Sequence, residues 1–178
     1  MPKDKKSLIL DFGCGTGILL KELSKKYDTV YGADINIQIA EQFLKNRGIG
    51  NVILFNNSDD KNYILPIKEK TLDVIICADV LEHVTNLDNI LDKLIKLLND
   101  DGLLIISGPT ENILYKFGRT ILRYKGDYHL RNIYDIRGIV SNNKKLEFVE
   151  KKAIFPIFNL FTIYVFKKIN NIRGMRNE

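Results

Sequence analysis

Asp11, Phe12, Gly13, Cys14, Gly15, Thr16 and Gly17 follow a short apolar run, and their types and spacing can do chemistry. Glycine at such a turn permits positive φ and lets a ligand come close to the backbone. A helix starting straight afterwards offers unpaired N–H groups to a negative group. The spacing is G-x-G-x-G, which differs from the G-x-G-x-x-G of dinucleotide sites. Asp11 stands two residues before the first glycine. A carboxylate at that mouth disfavours a pyrophosphate and favours a ligand that carries an ammonium group.

Further acids fall at comparable places along the chain. Asp34 closes a second apolar run, where a carboxylate can accept both hydroxyls of a ribose. Asp59 follows a third run and could accept from an adenine amino group, with Asp60 beside it. A fourth run ends at Cys77-Ala78-Asp79 and leads into Val80-Leu81-Glu82-His83-Val84. Successive strands therefore deliver carboxylates to one edge of a sheet. S-adenosylmethionine (SAM) suits such an edge, having an ammonium, a carboxylate, a sulfonium and a ribose but no phosphate. Two histidines, His83 and His129, can exchange a proton near neutral pH. His83 can equally order its loop or cap the following helix. Tyr115, Tyr124 and Tyr128 can line an acceptor pocket or simply pack. No cysteine joins either histidine at metal-ligand spacing, so no metal is expected. Cys14 and Cys77 are read as packing residues.

Elements must position these groups. Ser7–Asp11, Thr29–Asp34, Val52–Phe55, Leu72–Cys77 and Leu103–Ser107 read as buried strands. Amphipathic helices alternate with them, over Thr16–Lys26, from Asn36 toward Gly48, and along Leu87, Leu91, Leu94 and Leu98. Strands apolar on both faces, alternating with helices, imply a parallel sheet covered on both sides. Ile133, Ile136, Ile139 and Val140 predict another helix. Leu146–Ile154 and Phe161–Phe166 then predict two strands, and their short link demands antiparallel pairing.

The 178 residues are 45% apolar, with 12 Gly, 4 Pro and 2 Cys, which excludes disordered, collagen-like and disulfide-framework classes. One domain over residues 1–178 is expected. The polar start carries no secretion signal and no run reaches membrane-spanning length, so a cytoplasmic home is expected. Charge is uneven: residues 1–112 carry a net −4 and residues 113–178 a net +9. A basic third suggests an anionic partner, whether small molecule, lipid surface or nucleic acid, or else plain solvated faces.

The segments LDFGCGTG at 10–17, YGADI at 31–35, FNNSDD at 55–60 and LDVIICADVLEHV at 72–84 resemble class I SAM-dependent methyltransferases. The likeness is to the small-molecule branch related to quinone-biosynthesis methylases, and LLNDDGLLIISGPTEN at 97–112 extends it. The resemblance implies a doubly wound, mostly parallel seven-stranded α/β sheet of order 3-2-1-4-5-7-6, with strand seven antiparallel. It also implies that Gly13, Gly15 and Gly17 approach the methionine part of SAM, with Asp11 near its ammonium. Asp34 would take the ribose hydroxyls, with Ile35 beside it, and Asp59 and Asp60 would lie by the adenine. Ala78 and Asp79 would flank the sulfonium and open toward the acceptor.

Residues 113–131 would form the variable substrate cover, and His129 lies within it. The chain departs from the pattern in its short lead before the first strand, in Ser58 and Asp60 around the adenine-site acid, and in Asp100-Asp101-Gly102. The function expected is methyl transfer to a small-molecule acceptor on oxygen, with S-adenosylhomocysteine (SAH) as product. An anionic or lipid-linked acceptor and a peripheral membrane contact fit the basic third. An RNA or DNA methyltransferase competes with it, although neither an Asn- or Asp-Pro-Pro-aromatic motif nor a Pro-Cys pair is present. A noncatalytic SAM-binding protein fits the short lead, which leaves the site without a lid. A nicotinamide dehydrogenase is disfavoured by the G-x-G-x-G spacing and by Asp11.

Overall fold

The alternation of apolar runs and amphipathic stretches folds as a layered α/β sheet in the computed structural model, which describes residues 7–57, 65–110, 130–154 and 161–169. Seven strands form one sheet in the order β3-β2-β1-β4-β5-β7-β6. They are β1 (Leu8–Phe12), β2 (Thr29–Asp34), β3 (Val52–Asn56), β4 (Leu72–Ala78), β5 (Leu98–Pro109), β6 (Leu146–Ile154) and β7 (Phe161–Lys168). The first five pair in parallel. β7 runs antiparallel to both β5 and β6, as the short link between the last two strands requires. Among the described residues the α-helices are α1 (Ile18–Leu23), α2 (Gln38–Lys45), α3 (Leu87–Leu97) and α4 (Ile133–Ser141).

Strand alternation sorts the core into two layers. Leu10, Phe12, Ile75 and Cys77 face α3 and α4, where Leu87, Leu91, Leu94, Ile133 and Ile136 pack. Ile9, Val30 and Val74 face α1 and α2, and Cys14 joins Leu20, Ala40 and Leu44 there. The two cysteines are therefore free and lie in different layers. α1 is shorter than its apolar spacing predicts, because the chain turns out of helix after Leu23 through Lys26. β5 is longer than expected: it takes in Asp100–Gly102, which the sequence reads as a turn, with Asp101 at φ 71. Leu98 already pairs with Leu72 before that stretch. α4 is opened by a capping box, with the Asn132 side chain accepting from Asp135 N and the Asp135 side chain from Asn132 N.

Candidate cofactor and active site

The carboxyl ends of β1, β2 and β4 meet around a cavity of about 380 Å³. The chain leaving β1 folds over the end of β2: Gly13 N and Cys14 N both donate to Ala33 O, at 2.7 and 3.1 Å. That path requires positive φ at Gly13, Gly15 and Gly17. A Cβ at Gly13 would sit 2.5 Å from Val80 side-chain atoms, so β1 and the β4 end close on each other there. A Cβ at Gly15 would meet nothing within 4 Å, and Gly15 lines the cavity. Gly17 does not line it. It is the residue that caps α1, and a Cβ there would press on Ala40 of α2 at 3.1 Å.

Asp34 organises the β2 corner. Its Oδ2 accepts from Gly15 N at 2.7 Å and its Oδ1 from Asn36 N at 3.2 Å. Its carbonyl accepts from Asn57 N at 2.8 Å, tying in the end of β3. The Gly15 N–H is thus already committed to a carboxylate. Each Asp34 oxygen keeps a second lone-pair direction for another donor.

Asp11 is buried behind the glycine turn, at 2% exposure. Burial, with the charge of Asp34 adding, pushes its pKa up to about 7. A buried carboxylate in that position is offset by a cationic ligand group. The same two carboxylates act on Cys14, whose thiol burial and their charges push up to about 12; burial and Asp11 also raise Cys77. Both thiols stay protonated at neutral pH, which suits packing rather than nucleophilic work.

On the β4 side, Asp79 adopts φ 51 and donates its N–H to Ser107 O at 3.1 Å. A non-glycine residue in that region of φ is uncommon and worth attention at a site. A single 3₁₀ turn, Leu81–His83, follows, with His83 N donating to Val80 O. His83 is exposed and lines the cavity with Val84 and Thr85. It does not cap α3: Asn86 does, its side chain accepting from Asn89 N. Arg131 holds this wall from outside, donating to Val84 O at 2.7 Å and to Thr85 O at 3.3 Å, while Leu130 N donates to Glu82 O.

The cavity thus brings together Gly13, Gly15, Asp34, Ile35, Asp79 and His83 from the sequence-based expectations. Asp11, Gly17 and Ala78 are not among its lining residues. Asp59, Asp60 and His129 lie outside the described residues, as does the expected cover except Leu130 and Arg131. Phe12, Ala33, Val80, Val84 and Thr85 also line the cavity; sequence reasoning quotes most of them inside its motifs but assigns none of them a role. Apolar residues at strand ends carry no signal that separates a cavity wall from ordinary core.

Residues 1–158 match the family model described as a methyltransferase domain. The chain belongs to the methyltransferase domain family. Its fold is that of class I SAM-dependent methyltransferases, and SAM is the cofactor of that class. The ubiquinone biosynthesis O-methyltransferase of Rickettsia conorii is 31% identical over 102 residues, which is 56% of this chain and 34% of that protein. This methyltransferase domain spans less than two thirds of the length of the curated relatives it matches first. A SAM-dependent methyltransferase from Aquifex aeolicus superposes with a TM-score of 0.72 at 18% identity, covering 93% of this chain and 84% of that one. The N-methyltransferase NodS from Bradyrhizobium japonicum, solved with SAH, gives 0.70 at 16%, covering 92% and 79%. The residues of the domain fit SAM: a buried acid lies behind the glycine turn, an acid ends β2, and Gly15 opens on the cavity between them.

Proposed function

We propose that this chain transfers a methyl group from SAM to a small-molecule acceptor, on oxygen. The observation that carries the reading is the pairing of Asp34 with the Gly15 N–H at the mouth of the cavity, with Asp11 buried behind. It supports Asp34 as the ribose acceptor and Asp11 as the partner of the ligand ammonium. Ile35, Asp59 and Asp60 complete the adenosine side in this reading, and Gly13, Gly15 and Gly17 shape the turn around the methionine part. When bound, SAM supplies a methyl group already activated by a positive sulfonium. The chain's task is to align an acceptor and exclude water. Asp79, Val84 and Thr85 wall the acceptor side, with Ala78 next to Asp79 at the end of β4, and His83 Nδ1 or Nε2 can hold the proton released by a hydroxyl. His129, at the end of the cover over residues 113–131, is the second candidate base.

The oxygen acceptor draws support from the names of the ubiquinone O-methyltransferase relatives. NodS, an N-methyltransferase of like fold, keeps nitrogen in play as the competing acceptor atom. Calorimetry with SAM, SAH and NAD tests the first half: SAM and SAH should bind and NAD should not. NAD binding comparable to SAM would overturn the reading. Incubation of the chain with extract and methyl-labelled SAM tests the second half. Label in a small molecule is expected, and label confined to RNA would replace the acceptor class.

A further inference from the structure

The two halves of the cofactor cavity are held in different ways. The ends of β1 and β2 are tied to each other, by Gly13 N and Cys14 N on Ala33 O and by Gly15 N on Asp34. The other half is Asp79, Val80, His83, Val84 and Thr85, on the connection from β4 to α3. That connection is irregular. Asp79 stands at φ 51, and a non-glycine residue keeps such a conformation only where its surroundings over-determine it. The single 3₁₀ turn after it closes with His83 N on Val80 O at 3.0 Å and Val84 N on Leu81 O at 3.3 Å. The chain is extended again at Val84, with φ −79 and ψ 122.

Restraint on this stretch arrives from far along the chain. Leu130 N donates to Glu82 O at 2.9 Å. The Arg131 guanidinium forks, Nη1 donating to Val84 O at 2.7 Å and Nη2 to Thr85 O at 3.3 Å. Arg131 directly precedes Asn132, which caps α4, and α4 is anchored in the core by Ile133 and Ile136. Among the described residues no carboxylate forms an ion pair with this half-buried guanidinium. Its charge therefore strengthens two bonds to neutral carbonyls. Only a planar fork reaches two carbonyls at once in a fixed geometry; an ammonium is a single point.

We propose that Arg131 is a positioning residue for methyl transfer. It fixes the Val84 and Thr85 carbonyls to the start of α4, and so fixes His83, Val84 and Thr85 against the acceptor. This rests on the reading above that the stretch faces the acceptor. Arg131 is not among the lining residues of the cavity, so it acts through the wall and not on the ligand.

Arg131→Met, which keeps an apolar stem, and Arg131→Lys test it in the full chain. SAH affinity by calorimetry should hold in both, because the Asp34 corner keeps its own bonds. In the SAH complex, the His83 and Val84 amides of Arg131→Met should exchange hydrogen about tenfold faster, while Ile90 in α3 is unchanged. With extract and methyl-labelled SAM, turnover into small molecules at saturating SAM should fall about tenfold, with the KM for SAM unchanged. Arg131→Lys should recover part of both losses. Unchanged exchange at His83 and Val84 overturns the proposal. So does faster exchange with full turnover, or a turnover loss that only follows a loss of SAH affinity, which would mark a structural role. An unmodified chain that labels no small molecule overturns the function reading and this proposal with it, whereas the other outcomes leave that reading standing.

Discussion

Asp34 holds two backbone donors, Gly15 N and Asn36 N, and is also the proposed ribose acceptor. Asp34→Ala should therefore weaken SAH by ~1–3 kcal/mol, the cost of leaving polar groups unpaired. Calorimetry checks this, and an unchanged affinity would move the ribose elsewhere. Asp11 leads to a pH prediction. Its folded pKa, about 7, lies above the unfolded value of 3.8 because burial, and then Asp34, disfavour the charge. An acid raised in this way costs the free fold stability as pH climbs through that window. The cost is absent below about pH 4 and complete above about pH 7. The groups facing it are Asp34, Cys14 and Cys77, and both thiols stay neutral across the window. A cationic ligand reverses the preference. SAM affinity should rise as pH rises through 7, and binding below 7 should release a proton. Calorimetry in two buffers of different ionisation heat reads that proton, and Asp11→Asn should abolish its release.

Turns and caps decide the elements around the site. Gly13→Ala brings a Cβ to 2.5 Å from Val80 at φ 83. Overpacking of roughly 1–3 kcal/mol then adds to a left-handed backbone cost of roughly 1–2 kcal/mol. Gly48→Ala, at φ 66 with nothing within 4 Å, should show the backbone cost alone. Urea denaturation of the two variants separates packing from conformation. Asn132→Ala breaks the capping box that opens α4 and should cost about 1 kcal/mol in the same assay. SAH affinity should be unchanged in that variant, because Leu130 and Arg131 retain their bonds to the 82–85 wall.

At the scale of the whole molecule, the uneven charge has a consequence of its own. Residues 113–178 carry a net +9 while the rest is acidic, and a basic segment of that kind is attracted to an anionic surface. No helix among the described residues is long and apolar enough to cross a membrane. A peripheral contact is the form a lipid partner would take, each basic residue near an anionic surface contributing about 1 kcal/mol. Flotation with anionic vesicles checks it. The unmodified chain should float and Arg119→Glu with Arg123→Glu should not. A chain that stays in solution would leave a water-soluble acceptor.

The order of elements was legible in the residues alone, because a period of two or of 3.6 is a local property that tertiary packing then obeys. The antiparallel return of β7 followed from the short link after Ile154, since a parallel crossover needs a dozen residues or more. The gathering of Gly13, Gly15, Asp34 and Asp79 at one edge followed from parallel strands sharing their carboxyl ends. What local pattern could not carry is which group meets which across long separations. That Gly15 N donates to Asp34, that Gly17 presses on Ala40, and that Arg131 holds the carbonyls of Val84 and Thr85 depend on how separate segments are docked. The same holds for Cys14 and Cys77, which lie close in strand order yet fall on opposite faces. His83 is offered three readings by sequence: a base, a residue that orders its loop, or a helix cap. Geometry removes the cap: Asn86 stands three residues before Asn89 and its side chain takes that N–H, while His83 lines the cavity.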